Sequence, residues 1–321
     1  MRQMEAFAAV MSAGSITGAA RILGRSQPVM SRMIQDLESR LGFALFQRNG
    51  PRVSPTERGI LFHEDVERLL SSVQLVEERA AAIGREETRA FEIEAIPALA
   101  SGLLPRAVAK MLPGDVPRQI HVRSSAAEKV VQSVLARTAD VGVTSLPVEH
   151  AGLDLHWIGE SDCVAVVSAG DPLAQGETFP VAALRERRLV TVGNPYRLRG
   201  RIDRALHEAG IAPDAMLVTN ASINAIMAAH AGLGIAIVEP ATAYAVPVGG
   251  VKILPLDVRI PYYWGVFTVS GRPPAPAVSA FIETLATVAT EILPDFTIRS
   301  SSDLEALRDE IFGPFKGAQD K

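Results

Sequence analysis

"SQPVMSRMIQDLE", residues 26–38, sets a hydroxyl, an amide, a proline and an arginine at the front of an apolar-periodic run. Ser26 suits the N-cap of a helix, where a side-chain oxygen accepts from a backbone N–H two or three residues on. Pro28 falls in the first turn, where no intrahelical bond is lost. The spacing predicts a helix with two faces. Val29, Met33, Ile34, Leu37 and Leu41 turn toward a core, while Gln27, Pro28, Ser31 and Arg32 point outward. An ordinary core helix with a solvated polar side would read the same way, so the neighbouring sequence has to decide.

Upstream, "MEAFAAVM" repeats apolar residues at helical spacing through Met4, Phe7, Val10 and Met11, and "TGAARILG" follows after Gly14-Ser15. Gly24 and Ser26 punctuate the next start and Gly42 the next stop, giving three short helices of which the last two share a tight turn. That is the layout of a helix-turn-helix. Downstream, "FALFQRNGPRVSPTERG" reads as a hairpin with Asn49-Gly50-Pro51 at its tip and Arg48 and Arg52 beside it, a basic wing. Residues 1–60 hold eight arginines, no lysine and four acids, so this end carries +4 and the remainder −8 of a total of −4. A basic end on an acidic body is a footprint of nucleic-acid binding.

From Thr56 to Arg85 no proline interrupts the chain. Phe62, Val66, Leu69, Val73, Val76, Ala80 and Ile83 recur with alternating spacings of four and three. This heptad seam fits a helix of about 40 Å that pairs with a second chain; packing on its own domain is the alternative. Beyond "GREETR", short β-rich runs ("AFEIEAI", "RQIHVR", "ADVGVT", "CVAVVS", "RLVTV", "AMLVT", "GIAIVEP") alternate with helical ones ("EKVVQSVLAR", "RIDRALHEAG", "INAIMAAHAG"). That alternation predicts α/β units with mainly parallel sheets.

"AVMSAGSITGAARILGRSQPVMSRMIQDLESRLGFALFQR", followed by "SPTERG", resembles the DNA-binding region of LysR-type transcriptional regulators. The resemblance rests on Gly-Ser-x-Thr-x-Ala-Ala, Ser-Gln-Pro with Ser31, Leu37-Glu38, Leu41-Gly42, Leu45-Phe46-x-Arg48 and the Thr56/Gly59 pair. The opening "RQMEAFAAVM" and "SPT" are similar to the subgroup that includes opine-catabolism regulators. Gly18, Met30 and Met33 depart from the family's habit, and Met33 leaves base preference at its position open.

The resemblance implies an α+β and α/β multidomain chain. Its parts are a winged helix-turn-helix over 1–60, a linker and dimerisation helix over 56–87, and a two-lobed, periplasmic-binding-protein-like effector domain over 90–295. Lobe I is expected at about 90–166 and 268–295, lobe II at about 167–267, with crossings near 166–172 and 264–271 and a separate tail at 296–321. Gln27, Pro28, Ser31 and Arg32 would meet base edges or phosphates, and Arg48 and Arg52 the backbone or minor groove. In two-lobed α/β folds the ligand lies at the carboxyl ends of strands. The candidate wall is then Ser101, Ser124, Ser125, Thr144, Asn194, Tyr196, Asn220 and Ser222, with Arg197 and Arg199 adding charge and Glu239 holding a cationic group. Ser, Thr and Asn are also ordinary N-caps. Implied partners are promoter DNA, a small organic acid or amino-acid-like effector, a second copy of the chain (dimers, then tetramers) and RNA polymerase.

Other functions find little support. The six histidines show no ligand spacing, Cys163 has no cysteine partner for zinc or a disulfide, and neither a P-loop nor a G-x-S-x-G elbow occurs. Neither a metal nor a cofactor is expected, nor an enzyme. A transport solute-binding protein would share the two-lobed fold but begin with an export signal rather than a basic helix-turn-helix. The single cysteine and the absence of a long apolar run point to a cytoplasmic protein without a membrane span.

Overall fold

The computed structural model describes residues 1–49, 52–84, 90–111, 117–148, 150–194, 197–307 and 311. It forms two units, residues 1–89 and 90–321.

The first unit contains α1 (Arg2–Ala13), α2 (Ile16–Ile22), α3 (Gln27–Leu41), β1 (Phe46–Asn49), β2 (Arg52–Pro55) and α4 (Glu57–Gly84). Its core is one apolar cluster in which Ala6, Phe7, Val10, Ala19, Met30, Ile34, Leu37, Leu45 and Val66 are buried. Phe7 sits at the centre, its ring 5.5 Å from those of both Phe46 and Phe62. α3 stops at Gly42, whose φ of 76° is open to glycine at no steric cost, and its N–H bonds to the Glu38 carbonyl. The Glu38 carboxylate accepts from the backbone N–H groups of Leu45 and Phe46 at 2.7 and 3.1 Å, fixing the chain's exit into β1. β1 and β2 pair antiparallel with Asn49 opposite Arg52, the register of the expected wing. At the start of α4, Thr56 Oγ1 accepts from Gly59 N at 2.9 Å and donates to Ala44 O at 2.8 Å. A Cβ at Gly59 would lie 2.2 Å from the Leu45 carbonyl oxygen, so only glycine permits this approach.

Three expectations for this unit need correction. Met30, not Val29, occupies the core: Met30 is fully buried and Val29 is 45% exposed. The buried stripe runs 30, 34, 37, with Met33 and Leu41 only half-buried at its sides. Ser26 holds the N-cap position but its hydroxyl accepts no capping bond. Finally, the front of the heptad seam serves the unit itself. Val66 is buried and Phe62 packs against the same core, whereas Leu69 and Val76 are exposed and Val73 is half-buried. The side chains of Ala80 and Ile83 lie outside the described residues. Leu69 is the first exposed residue of this seam.

The second unit contains two mixed sheets. Its elements are β3 (Phe91–Ala95), α5 (Pro97–Ala100), α6 (Leu103–Lys110), β4 (Ile120–Ser124), α7 (Ala127–Leu135), β5 (Val141–Ser145), β6 (Leu153–Asp162) and β7 (Val164–Ser168). They continue with β8 (Arg188–Val192), α8 (Leu198–Glu208), β9 (Ala215–Thr219), α9 (Ser222–His230), β10 (Ile235–Val238), α10 (Pro240–Ala245), β11 (Val251–Pro255), β12 (Pro261–Val269), α11 (Pro276–Ile292) and β13 (Thr297–Ser300). All seven β-rich runs read from the sequence are strands. One sheet has the order β13-β6-β12-β5-β3-β4 and the other β11-β7-β10-β8-β9. Each holds three parallel strands extended by antiparallel ones, so the sheets are less parallel than the alternation implied.

The chain changes sheets at Cys163, the single residue between β6 and β7, and again over 256–260, between β11 and β12. The crossings expected near 166–172 and 264–271, and the lobe limits drawn from them, are therefore displaced. The Gly170-Asp171-Pro172 turn is real but local: Asp171 Oδ1 accepts from Leu173 N at 2.9 Å and caps the 3-10 turn Pro172–Gln175. "WGVFTV" lies wholly inside β12. The tail is also partly built into the fold. β13 pairs with β6, Phe296 stacks on Trp264 at 5.7 Å, and Ile311 is buried against Leu146, Ile158 and Tyr263.

Candidate DNA-binding face and effector cleft

α3 presents its first turn outward. Gln27, Pro28, Val29 and Arg32 are exposed and Ser31 is half-buried. These residues follow the open N-terminus of a helix, where unpaired N–H groups and the helix dipole favour phosphate. The buried Met30, Ile34 and Leu37 hold the helix by its opposite side, so the polar residues are displayed by a rigid element. Arg48 and Arg52 occupy facing strands of the wing; their side chains lie outside the described residues.

In the second unit the two crossings bring the carboxyl ends of the parallel strands of both sheets to one side. The register fixes this: Val238 at the end of β10 pairs with Val164 beside the first crossing, and Ser145 at the end of β5 pairs with Trp264 just beyond the second. Ser124, Asn194 and Asn220, expected in the ligand wall, are exposed there: Ser124 ends β4, and Asn194 and Asn220 follow β8 and β9. Asn220 Oδ1 accepts from Asn224 Nδ2 at 3.1 Å. Tyr196 lies outside the described residues.

Other expected wall residues sit differently. Ser101 follows α5 rather than β3, and its hydroxyl donates to the Pro97 carbonyl at 2.6 Å; the strand ends at Ala95. Ser125 donates at 2.6 Å to Glu94, a buried carboxylate that Arg123 Nε also meets at 2.9 Å. Thr144 is fully buried inside β5 on the same face as Gly142, where a Cβ would meet Val134 and Val130 of α7. The edge residue is instead Ser145. Arg197 donates to its carbonyl and, at 3.1 Å, to its hydroxyl, and lies 3.3 Å from Glu128. Arg199 turns back to Asp203 on its own helix at 2.6 Å.

Glu239, expected to hold a cationic group, is turned inward. It is buried and caps α10, accepting from Thr242 N at 3.3 Å and from the hydroxyls of Thr242 and Ser222. Ser222 is thereby spent on the same bond. The carboxylate is thus buried and held by three donors from Ser222 and Thr242. Burial raises its pKa above the ordinary 4.5, opposed by the hydroxyl and backbone donors. A raised carboxyl pKa contributes stability that is complete below the ordinary value and is lost as pH rises through the folded value. Glu239→Gln is therefore expected to flatten the fall in thermal midpoint as pH rises above the ordinary carboxyl value of 4.5; an unchanged slope in a pH series of melting curves would contradict it.

Sequence reasoning also missed Arg201. This α8 residue is only 8% exposed, reaches the carbonyls of Leu146 and Pro261 at 3.4 Å, and lies 5.0 Å over the Tyr263 ring. Burial lowers its pKa and raises those of Cys163 and Tyr262, its neighbours at the crossings. Arg197, at the N-cap of α8, and Arg201, four residues on, bond to Ser145 and Leu146 at and just past the end of β5. That i, i+4 spacing was the available signal.

Known proteins share both halves of this design. Residues 1–60 match the bacterial regulatory helix-turn-helix protein, lysR family, and residues 84–290 match the LysR substrate binding domain. The chain belongs to the LysR family of DNA-binding transcriptional regulators. It is similar to the regulatory protein NocR of Agrobacterium fabrum, 28% identical over 281 residues that cover 87% of this chain and 93% of that one. It is also similar to the octopine catabolism/uptake operon regulatory protein OccR of Rhizobium meliloti, 30% identical over 76% of this chain and 80% of that one. The resemblance to the opine-catabolism subgroup thus extends well beyond the opening residues. The fold is that of CbnR, a LysR family transcriptional regulator, with a TM-score of 0.67 at 24% identity over 90% of this chain and 98% of that one. CbnR complexed with its target DNA gives 0.66 over 90% and 99%. No helix among the described residues is long and apolar enough to cross a membrane.

Proposed function

We propose that the protein is an effector-controlled regulator in which Gln27, Pro28, Ser31 and Arg32 read the major groove and a small carboxylate or amino-acid-like compound binds at the strand ends of the second unit. The exposed first turn of α3 carries the DNA half of this reading: side chains at the N-terminal end of a recognition helix reach base edges. Gln27 pairs with adenine in two bonds, and Arg32 with guanine or a phosphate. Arg48 and Arg52 add backbone contacts from the wing.

The effector half is supported by the cationic Arg197 beside Ser145, with Ser124, Asn194 and Asn220 as further polar groups at the strand ends. A carboxylate can take over the donors that Arg197 now gives to Ser145. An amino-acid derivative agrees with the similarity to OccR, a regulator of octopine catabolism and uptake by name. Two chains joined beyond Leu69 present two α3 helices to a roughly palindromic promoter site, and dimers pair into tetramers. The effector biases sheet closure, shifts the placement of the DNA-binding heads and so alters DNA bending and RNA polymerase recruitment in the cytoplasm.

The first test compares Gln27→Ala with wild type on a duplex enriched from a random pool and on random DNA. A lost bidentate contact costs about 1–3 kcal/mol on the enriched site, or about 5- to 150-fold, while random DNA is bound nearly as before. Equal losses on both would remove Gln27 from base readout.

A further inference from the structure

The first two turns of α3 present three adjacent i, i+4 pairs, and they differ in chemistry. Pro28 and Arg32 lie along the middle. Gln27 and Ser31 flank them on one side with an amide and a hydroxyl. On the other side lie Val29, 45% exposed, and the half-buried Met33, which are purely apolar. Met30, fully buried, already supplies the apolar anchor in this turn, so Val29 is not needed by the core. A β-branched residue on an exposed helix surface also has lower helix propensity than alanine. One edge of these two turns is therefore apolar and the opposite edge polar.

In the major groove, one group among the base edges suits an apolar side chain: the C5-methyl of thymine, with 5-methylcytosine presenting the same methyl. We infer that the Val29/Met33 stripe reads a pyrimidine C5-methyl, beside the hydrogen-bonding readout of Gln27 and Ser31. Val29, projecting from the first turn, makes the contact, and Met33 backs it with a flexible apolar surface. The inference rests on the DNA-binding reading and adds a second kind of base recognition to it.

The test uses the full-length protein and a duplex enriched from a random pool. Each thymine is replaced in turn by uracil, which removes one methyl and leaves every hydrogen-bonding group in place. Wild type is expected to lose about three- to fivefold in affinity at one or more positions in each half-site. Val29→Ser, a change at an exposed position, should reduce that penalty to less than twofold. At the same positions wild type should bind 5-methylcytosine more tightly than cytosine, and Val29→Ser should not distinguish them. Met33→Gln should give an intermediate uracil penalty. A uracil penalty absent from wild type, or undiminished in both variants, would overturn the inference while leaving DNA binding intact. Failure to enrich any duplex would overturn both.

Discussion

Phe7→Ala is expected to destabilise the N-terminal unit by about 3–5 kcal/mol, the usual cost of truncating a buried aromatic side chain. The ring is fully buried and meets Phe46, Phe62 and His63, so it joins α1 to the wing and to the first turns of α4. Among the described residues of this unit no other makes three aromatic contacts. The loss is a large fraction of the stability of a small domain, and α3 depends on the same core for its position. DNA affinity should therefore collapse for enriched and random duplexes alike, unlike the selective loss in Gln27→Ala. Both tryptophans, Trp157 and Trp264, lie in the second unit. Their emission should follow the same unfolding curve as in wild type, while circular dichroism shows an earlier helical transition. A single transition at the wild-type midpoint by both probes would refute the placement of Phe7.

Trp264→Ala should do the reverse, costing the second unit about 3–5 kcal/mol. Trp264 is fully buried, 4.8 Å from Trp157 in an edge contact and stacked on Phe296. A Cβ at Gly159 would lie 2.7 Å from Phe296 and 2.8 Å from Trp264, so the glycine makes room for that stack. Trp264 also pairs across the sheet with Ser145, the residue Arg197 holds. The variant should unfold at lower denaturant by Trp157 emission and leave random-DNA affinity within about twofold. Unchanged stability would mean that the tail and β12 do not share a core.

What the sequence displayed and what it hid follow from the range of the interactions. Short runs rich in β-formers were enough to find β3, β5 and β8, because one strand's composition is local. The helix-turn-helix was equally visible, since glycine, serine and proline mark its ends. The change of sheets at Cys163 was not. One residue joins two strands there without a turn signal, whereas the nearby Gly-Asp-Pro advertises a turn that stays inside one lobe. Val29 and Met30 were exchanged because a shift of one residue in a helix rotates the apolar stripe, and both are hydrophobic. The candidate cleft was read only in outline. Strand ends predicted Ser124, Asn194 and Asn220, but pairings across 17 to 52 residues claimed Ser222, Ser125 and Arg197 for partners no local pattern names.

The central claim is that a compound bound at the strand ends changes how the α3 helices meet DNA. The direct measurement is the bend angle and footprint of the full-length protein on its enriched duplex. It is made with and without whichever amino acid, opine or small carboxylate binds the protein in a screen. The account predicts that such a compound alters both, and that Arg197→Ala abolishes the alteration while leaving DNA affinity in its absence within about twofold. A compound that binds through Arg197 yet leaves bend, footprint and affinity unchanged would contradict it.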